Sequence, residues 1–587
     1  MPSGGREESR VNVVVCVSVS ATVATISERR RFRQRTLPRA CAAMPWAITG
    51  LGKVPSIALC EGMDDCHKPS GGPPRSGPTP SSNRNVKGWL TLDCARTAIL
   101  FKLRQGLDAS RLSRLLSRGF ARDFSLMDAH FSATANRHRA DVSVDAMDEV
   151  SSVSSSAAAS RVVILGGGFG GLYAALRLQS LLRGRRDVDV TLVNRENFFL
   201  FTPMLPQVAT SGLDTRHIVA TIRRICPRIR FYEADVKAVD FANKTVTIVH
   251  SGARPRTLPY DQLLLALGSV TNFFGIPGLA EHALTMKSLS DAIRLRNHAL
   301  DMLERAELET DAGRRRELLT FVVAGAGFAG IETAAELDIF MRRAARSYRS
   351  FTPADIRTVI VDAQDRILPE LSPTLAQFTL QTLQKRGVEF HLNAKVAGAD
   401  ASGVTLHAGE RIATHTLVWT GGVAAHPFIA TLPGATSRGR LPTEPTLAMR
   451  GSDRVWAVGD CAEVLDAQGK PYPPTAQHAL REGGHAGDNI LAAIDGRALR
   501  PFAFTAIGQM ANLGRHRGVA MVGGLKISGF PAWWLWRTYY LSRLPTLDKK
   551  IRVAIDWTLD LFFARDTVRL SLPEPKVPSA PALSANE

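Results

Sequence analysis

The chain has 587 residues, which at roughly 150 residues per domain predicts three or four compact units and excludes a single small module. Hydrophobic residues make up 45% and charged residues 22%, so a collagen-like, disulfide-rich or wholly disordered protein is also excluded. The formal net charge of +19 permits attraction to nucleic acid or to anionic lipid, and charge alone does not choose between them.

Seven cysteines are scattered along the chain, and no two of them have the C-x-x-C spacing of zinc or thioredoxin sites. This pattern predicts a reducing compartment, with neither a disulfide framework nor a metal site. No stretch reaches about 18 uninterrupted apolar residues, so a membrane-spanning helix is not expected. The nearest candidate, residues 11–26, contains several Ser and Thr and makes a poor signal peptide.

The first 158 residues lack sustained periodicity, contain many scattered arginines and include a Pro/Gly/Ser-rich stretch over residues 68–82. They are expected to be disordered, apart from a short helix over residues 109–121. Their Arg- and Ser-rich composition suits a transit peptide. The favoured alternative is an artefactual extension, because Met147 precedes a short Ser/Ala linker and a strong strand. The tail over residues 576–587 is also expected to be disordered.

Order begins at Arg161, where RVVILGGGFGGLYAALRLQSLL joins an apolar strand to a glycine turn and a helix. Gly166, Gly168 and Gly171 have the spacing G-x-G-x-x-G. In such a motif the first glycine makes the tight turn, the second lets the backbone approach a pyrophosphate, and the third lets the helix pack on the strand. The motif predicts a bound dinucleotide, and a tight turn without ligand is the alternative.

A second unit of the same form starts at residue 319, LTFVVAGAGFAGIETAAELDIFM, and contains Gly325, Gly327 and Gly330. The first glycines of the two motifs are 159 residues apart, which indicates two separate dinucleotide-binding domains. Apolar runs between and after the motifs predict an alternating α/β architecture with parallel sheets. The predicted strands cover residues 188–193, 230–232, 245–249, 263–266, 358–361, 389–392, 416–419 and 455–458.

The residue that ends the second strand of each unit is expected to hydrogen-bond the ribose hydroxyls. In the second unit this residue is Asp362, whose carboxylate repels a 2′-phosphate and so predicts a preference for NADH over NADPH. The alternative is that Asp362 only caps a loop. In the first unit the strand ends at Asn194 instead of an acid; Asn194 can still bond a ribose hydroxyl, and Glu196 lies two residues further on.

The paired units resemble the two-dinucleotide-binding flavoproteins, and within them the type II NADH dehydrogenases, over residues 161–572. Three further motifs carry the resemblance: FLFTPMLPQVAT at 199–210, PYDQLLLALGSVTNFFGIPG at 259–278 and VWAVGDCAEV at 455–464. The second motif has Gly268 at its turn. The third is similar to the second FAD fingerprint, in which an acid after a glycine, here Asp460 after Gly459, bonds the ribityl chain. The resemblance implies FAD at the first unit and NADH at the second.

The segment YPPTAQHALREGGHAGDNI, residues 472–490, predicts a helix that opens after two prolines with its positive end toward the flavin. In the family this helix carries a quinone-site pattern, A-Q-x-A-x-Q-Q. The first half matches around Gln477, whereas Arg481 and Glu482 stand where two glutamines are usual. Gln477 and Arg481 share a helix face and are the expected quinone contacts, although Arg481 leaves the identity of the acceptor open. Simple packing against FAD is the alternative.

Glu332 lies two residues past Gly330 and matches the family's acid near the nicotinamide and flavin rings. The resemblance implies that it places NADH or relays a proton to the reduced quinone. The alternative is an acid favoured in the first turn of a helix by the dipole alone. The C-x-x-x-x-C pair of disulfide reductases and the cysteine pair of sulfide-oxidising quinone reductases are absent, so Cys461 is expected to be a small packed residue.

The C-terminal part is rich in aromatic residues, nine of which lie between residues 530 and 563, interleaved with Lys and Arg. Ile551, Ile555, Leu559 and Phe562 follow helical spacing, and the composition is typical of a helix pair in a membrane interface. A homodimer contact or a cover over the FAD domain would give the same stripe. The resemblance favours the membrane, because the family attaches through such a segment, and no motif supports nucleic-acid binding.

The sequence therefore predicts an α/β protein with two Rossmann-like domains and a C-terminal amphipathic helical segment. The resemblance implies that the two domains bind FAD and NADH and that the segment lies at the membrane interface. The expected boundaries are 159–285 and 411–500 for the FAD domain, 286–410 for the NADH domain and 501–575 for the C-terminal segment.

The implied activity is transfer of hydride from NADH to FAD and of two electrons to a membrane quinone, without proton pumping. The implied location is peripheral, on the cytoplasmic face of a bacterial inner membrane or the matrix face of a mitochondrial one. A soluble FAD-dependent NAD(P)H reductase for a protein acceptor such as ferredoxin and a slow-turnover NADH-sensing flavoprotein are the alternatives.

Overall fold

A computed structural model describes residues 159–434, 439–506 and 508–569. The expectations for the first 158 residues, including the short helix over residues 109–121, lie outside these ranges, as does the expectation for residues 576–587. The described residues form an α/β fold with two parallel sheets, which confirms the predicted fold class.

The first sheet has five parallel strands, and the glycine motif follows its central one. Val162, Val163, Ile164 and Leu165 of that strand are at most 2% exposed, because helices cover both faces of a parallel sheet. This double burial explains the continuous apolar run in the sequence. In spatial order the strands are Val455–Ala457, Gln262–Leu265, Ser160–Leu165, Val188–Asn194 and Arg230–Glu233.

The second sheet repeats this layout around the second glycine motif, again with five parallel strands. In spatial order they are Leu284–Thr285, Thr416–Trp419, Thr320–Ala324, Arg357–Val361 and Val388–His391. After the central strand of each sheet, the chain first builds strands on one side and then returns to the other side; in the second sheet the edge strand Leu284–Thr285 precedes the central strand. The carboxyl ends of the strands at this reversal form the crevice where such folds bind ligands.

Two of these strands pair across the predicted domain boundaries. Thr416–Trp419 was expected in the returning part of the FAD domain, but it pairs with Thr320–Ala324 of the second sheet. Leu284–Thr285, expected in the first part of the FAD domain, pairs with Thr416–Trp419. The second unit needs a strand on the far side of its central strand to create its own crevice. We therefore propose boundaries just before Leu284 and beyond Trp419.

Short antiparallel sheets, which the expectation of parallel sheets did not include, lie between the strands of the two large sheets. The predicted strand Thr245–Val249 has the expected bounds, but it pairs antiparallel with both of its neighbours. The three-stranded examples are Asp235–Asp240, Thr245–Val249 and Arg256–Pro259, then Val396–Asp400, Gly403–Leu406 and Arg411–Ala413. The antiparallel two-stranded pairs are Phe198–Leu200 with Val219–Thr221 and Ser269–Thr271 with Val423–Ala425. A further short pair, Leu441–Pro442 with Ala462–Glu463, is parallel.

Three helices position the site. The first glycine helix is Phe169–Leu181, the second glycine helix is Phe328–Ala344, and the proline-led helix is Ala476–Ile494. The other helices of the two domains are Leu205–Val208, Ile222–Ile225, Leu279–His282, Leu289–Leu308, Ala312–Leu318 and Pro373–Gln384.

The first glycine helix and the proline-led helix approach each other closely because glycines face each other. A Cβ atom on Gly483 would lie 2.0 Å from the carbonyl oxygen of Gly170, and one on Gly487 would lie 3.2 Å from that of Ala174. Side chains at these positions would force the helices apart. The close packing brings the start of the proline-led helix beside the first glycine turn.

The C-terminal segment begins with an antiparallel sheet that the sequence analysis did not predict, formed by Gly508–Asn512, Gly518–Val522 and Leu525–Gly529. The C-terminal helix pair follows as Phe530–Arg543 and Leu547–Phe562, as expected. Among the described residues, no helix combines the length and the apolar character needed to cross a bilayer.

Candidate active site

The three glycines of the first glycine turn have different surroundings. Gly166 has a φ of +104°, and a Cβ atom on it would lie 2.2 Å from the carbonyl oxygen of Ala266. A Cβ atom on Gly171 would lie 1.8 Å from the carbonyl oxygen of Gly166. Gly168, in contrast, is exposed and has no atom within 4 Å of its Cβ position. The first and third glycines are thus required by packing, and the second leaves open backbone for a pyrophosphate.

The second glycine turn has the same geometry. Gly325 has a φ of +110°, and a Cβ atom on it would lie 2.7 Å from Oγ1 of Thr420. A Cβ atom on Gly330 would lie 1.7 Å from the carbonyl oxygen of Gly325, whereas Gly327 again has nothing within 4 Å. The repeated cradle fits a second dinucleotide.

The residues that end the second strands occupy equivalent positions. Oδ1 of Asn194 accepts a hydrogen bond from the backbone N–H of Gly167 at 2.7 Å. Oδ2 of Asp362 accepts one from the backbone N–H of Ala326 at 2.5 Å. Each of these two side chains therefore caps a glycine turn, which for Asp362 was the alternative interpretation. Each also lies beside the open backbone of its turn, where ribose contacts are expected. The side-chain amide of Asn194 donates to the carbonyl oxygen of Glu196, whose own side chain is exposed.

Asp460 lies in the short helical turn Gly459–Cys461 that follows the first sheet. Its Oδ2 accepts a hydrogen bond from Oγ of Ser269 at 2.5 Å, and Nζ of Lys287 lies 3.5 Å from the same oxygen. Ser269 directly follows Gly268, which has a φ of +69°. Sequence reasoning missed Ser269 and Lys287, although the place of Ser269 after the predicted turn was a usable signal.

Glu482 faces inward from the proline-led helix. Its Oε2 accepts a hydrogen bond from the backbone N–H of Gly459 at 2.7 Å, and the residue is 2% exposed. Burial raises the pKa of Glu482 to about 7, and the nearby carboxylate of Asp460 adds to the shift. In the sequence, Glu482 stands beside Arg481 as a change in the quinone pattern, but in the structure it bonds Gly459 of the predicted FAD fingerprint.

Gln477 and Arg481 lie together on the proline-led helix, as their spacing predicted. Nη1 of Arg481 donates to the carbonyl oxygen of Gln477 at 3.1 Å, and the guanidinium lies 4.3 Å from the ring centre of Phe504. Phe504 was not singled out from the sequence. The ring and the carbonyl oxygen hold Arg481 in one orientation.

Glu332 is the fifth residue of the second glycine helix, past its first turn and 9% exposed. The alternative that placed it in the first turn is therefore wrong. Its Oε1 accepts a hydrogen bond from the backbone N–H of Asn512 at 2.7 Å. Burial raises the pKa of Glu332 to about 8, and the charge of Glu336 also raises it, while the bond from Asn512 opposes the shift. Glu332 is thus mostly protonated at neutral pH.

Glu336, one helical turn further on, is 2% exposed and fully bonded. Its Oε1 accepts from the side-chain amide of Asn512 at 2.8 Å, and its Oε2 accepts from Nη1 of Arg565 at 2.8 Å. Removing one partner of such a buried pair costs about 3–5 kcal/mol. Sequence reasoning missed Glu336, Asn512 and Arg565, because 176 and 229 residues separate the two partners from Glu336.

Comparisons with known proteins match both parts of the chain. Residues 160–483 match the family model described as pyridine nucleotide-disulphide oxidoreductase, and residues 507–566 match that of the NDH2 C-terminal domain. The type II NADH:quinone oxidoreductase NdhA of Mycobacterium tuberculosis is 36% identical over 415 residues, which cover 68% of this chain and 86% of the relative. The chain belongs to the type II NADH:quinone oxidoreductases.

Two further comparisons fit this family. The demethylphylloquinone reductase NdbB of Synechocystis is 32% identical over 68% of this chain and 95% of its own. The solved structure of NDH2 from Plasmodium falciparum in complex with NADH has a TM-score of 0.63 at 20% identity, over 70% of this chain and 99% of that one. The predicted resemblance is therefore confirmed, and the structural likeness supports the fold.

In this type II NADH:quinone oxidoreductase, the two cysteines within the described ranges, Cys226 and Cys461, are both buried and free. Burial raises the pKa of the Cys226 thiol to about 12 and that of Cys461 to about 11. Neither forms a thiolate near neutral pH, so neither suits the thiol chemistry in the name of the broader family.

The C-terminal helix pair presents two different faces. Trp536, Val553 and Trp557 point inward and are at most 6% exposed, and Nε1 of Trp557 donates to Oε1 of Gln207 at 3.0 Å. The predicted stripe points outward. Its exposed fractions are 52% for Ile551, 52% for Ile555, 48% for Leu559 and 77% for Phe562. The stripe is therefore not the surface that covers the protein body.

Proposed function

We propose that this chain carries out the reaction of its family, oxidation of NADH by a quinone through bound FAD, with FAD at the first glycine turn and NADH at the second. The observation that carries the proposal is the pair of open cradles at Gly168 and Gly327, each in an otherwise filled turn. When bound, FAD supplies the redox chemistry, accepting a hydride and passing on two electrons.

The proposed FAD contacts come from both parts of the first domain. The backbone of the first glycine turn would face the pyrophosphate, Asn194 and Glu196 would lie toward the ribose, and Asp460 would bond the ribityl chain. Ser269 donates a hydrogen bond to Asp460, and Lys287 donates one to Ser269. Together they hold the carboxylate of Asp460 in place. The remaining proposed contacts are Gly166, Gly171, Gly268 and Gly459.

The proposed NADH contacts are the second glycine turn and Asp362. Gly325 and Gly330 shape the turn, and Gly327 leaves its backbone open. The helix that starts there would direct its positive end at the pyrophosphate. The carboxylate of Asp362 would bond the ribose hydroxyls and repel a 2′-phosphate, which favours NADH.

Glu332 is the proposed proton donor to the reduced quinone. Reduction of a quinone to a hydroquinone takes two electrons and two protons, and NADH brings one proton with its hydride. A carboxyl group with a pKa raised to about 8 carries a proton at neutral pH and can release it. Gln477 and Arg481 are the proposed quinone contacts, with the side-chain amide of Gln477 suited to a carbonyl oxygen.

Peripheral membrane attachment through the C-terminal helix pair is also part of the proposal. Four large apolar side chains, those of Ile551, Ile555, Leu559 and Phe562, form the outward stripe on one helix. An apolar stripe of this kind suits the interface of a bilayer. The proposed location is the cytoplasmic face of a bacterial inner membrane, or the matrix face in mitochondria. A homodimer contact through the same stripe is the competing outcome.

Anaerobic stopped-flow with the FAD-loaded protein tests this function. NADH should bleach the flavin rapidly, and a short-chain quinone should then restore its absorbance. Gln477→Ala should slow only the second step, whereas equal loss of both steps would place Gln477 in FAD binding. Bleaching without any response to quinone would contradict the proposal and favour a soluble reductase with a protein acceptor, or a sensor.

A further inference from the structure

A cavity of about 70 Å³ lies where the second glycine helix, the C-terminal sheet and the C-terminal helix pair meet. Because one water needs about 10–15 Å³ of such space, the cavity has room for a group several times larger than a water molecule. Its lining includes Glu336 and Arg343 of the second glycine helix and Trp533, Arg537 and Asp560 of the helix pair.

The lining carries a surplus of positive charge. Four guanidinium groups, those of Arg343, Arg515, Arg537 and Arg565, line the cavity with only two carboxylates. Both carboxylates are already bonded by Arg565, which donates to Glu336 at 2.8 Å and to Asp560 at 2.9 Å. Asp560 also pairs with Arg343 at 3.5 Å, so both carboxylates are engaged and the four guanidinium groups still exceed them by two charges.

Arg537 forms no direct ion pair with either carboxylate among the described residues, in contrast to Arg343 and Arg565. It lies between two indole rings, 4.1 Å from the ring centre of Trp533 and 4.7 Å from that of Trp557. Its Nε is buried and has no hydrogen-bond acceptor among the described residues. Burial lowers the pKa of Arg537 to about 10, so it remains charged at neutral pH. Ring faces stabilise such a cation only in part, and a buried polar group without a partner points to a missing one.

We propose that this cavity binds a phosphate-type anion, carried by a lipid headgroup or free in solution. Planar guanidinium groups match the oxygens of phosphate and bond them in pairs. Arg515 and the adjacent His516 are exposed at the mouth of the cavity, where a ligand can enter.

A lipid source is consistent with the place of the cavity in the fold. Leu561 lines it and is 51% exposed, and it lies between the stripe residues Leu559 and Phe562. A phosphate in the cavity would leave attached acyl chains beside these apolar side chains. This source rests on the proposed membrane attachment, whereas the anion site itself does not.

The test uses the full, FAD-loaded chain and two probes, inorganic phosphate measured by calorimetry and vesicles measured by co-sedimentation. The vesicles contain phosphatidylcholine with or without phosphatidylglycerol. Arg537→Gln should lower the affinity for the anion, measured with whichever probe binds the wild-type site, by about tenfold. This is the loss expected when one charge-assisted contact disappears. Arg552→Gln is the matched control, because Arg552 is exposed on the same helix pair and does not line the cavity.

The two sources give different results. Selective loss of phosphatidylglycerol binding in Arg537→Gln supports a lipid phosphate, and loss of inorganic phosphate binding with unchanged vesicle binding supports a free anion. Wild-type protein that binds phosphate but no vesicle would retain the site and reject membrane attachment. Arg515→Gln changes an exposed side chain and so spares the fold. The proposal is overturned if neither variant differs from Arg552→Gln toward either probe.

Discussion

The backbone N–H of Asn512 donates a hydrogen bond to Oε1 of Glu332 at 2.7 Å. Through this bond the C-terminal sheet contacts Glu332, which the family resemblance places near the nicotinamide and flavin rings. The side-chain amide of the same asparagine holds Glu336, which Arg565 also bonds from beyond the helix pair. The part of the protein proposed to meet the membrane is therefore linked to the proposed proton donor.

Glu332→Gln should separate proton delivery from hydride transfer. Glutamine keeps an oxygen for the Asn512 N–H but carries no titratable proton, so flavin bleaching by NADH should change little. Loss of a general acid typically costs about 10²–10⁴-fold, and reoxidation by quinone should slow accordingly. Stopped-flow on each half-reaction measures both rates.

The pH dependence gives a second readout on the same variant. Because burial raises the pKa of Glu332 to about 8, the wild-type reoxidation rate should fall as the pH rises through 8, when the donor loses its proton. The rate of Glu332→Gln should lack this fall. Glu370→Gln, at an exposed position, is the control and should keep the wild-type profile. A wild-type rate that is flat from pH 6 to 9 would rule out the proposed role.

Glu482→Gln should change how stability depends on pH. The pKa of Glu482 is about 7 in the folded protein and 4.5 as an ordinary glutamic acid, so the folded state binds the proton more tightly. The stabilisation from this proton is complete below pH 4.5 and disappears as the pH rises through 7. The Tm of wild type should therefore fall relative to that of Glu482→Gln between pH 5 and 7.5.

Glu482→Ala tests the bond itself. It removes the acceptor of the Gly459 N–H, and an unsatisfied buried donor costs about 1–3 kcal/mol. If FAD binding needs that turn, this cost is roughly fivefold to 150-fold in FAD affinity. FAD release on dilution, followed by flavin fluorescence, measures the effect. Retention equal to wild type would show that Glu482 does not support the FAD site.

The predictions that succeeded rest on the spacing of residues close together in the sequence. The two glycine motifs were predictable because each depends on a few adjacent residues whose backbone requirements are specific, such as the positive φ of Gly166 and Gly325. The helix pair was predictable from the composition and spacing of one segment. Two predicted strands, Thr245–Val249 and Thr416–Trp419, have the expected bounds for the same local reason.

Long-range pairing and helix rotation were not predictable from the same patterns. Nothing in the local sequence of Thr416–Trp419 shows that it joins the second sheet and not the first, because both need a buried apolar strand there. Glu482 turns inward because the proline-led helix packs glycine against glycine on the first glycine helix, which fixes its rotation. Arg565 contacts Glu336 only after the whole C-terminal segment has folded back.

Asp362→Asn should relax the preference for NADH over NADPH without disturbing the turn. An asparagine can cap such a turn, because Asn194 accepts the equivalent hydrogen bond from the first glycine turn at 2.7 Å. Loss of the negative charge should raise the ratio of kcat/KM for NADPH to that for NADH by about tenfold. Steady-state kinetics with both nucleotides measures the ratio. If the ratio stays at the wild-type value, Asp362 acts only as the loop cap.

Ile555→Glu should release the protein from membranes while keeping its chemistry. Ile555 is 52% exposed within the outward stripe, so a charge there does not disturb the core but makes insertion into a bilayer interface costly. Co-sedimentation with vesicles should fall, and turnover with a water-soluble quinone should not. Leu308→Glu, at an 83% exposed position on a different helix, is the matched control and should sediment like wild type. Unchanged sedimentation of Ile555→Glu together with a shift from dimer to monomer would assign the stripe to a homodimer contact instead.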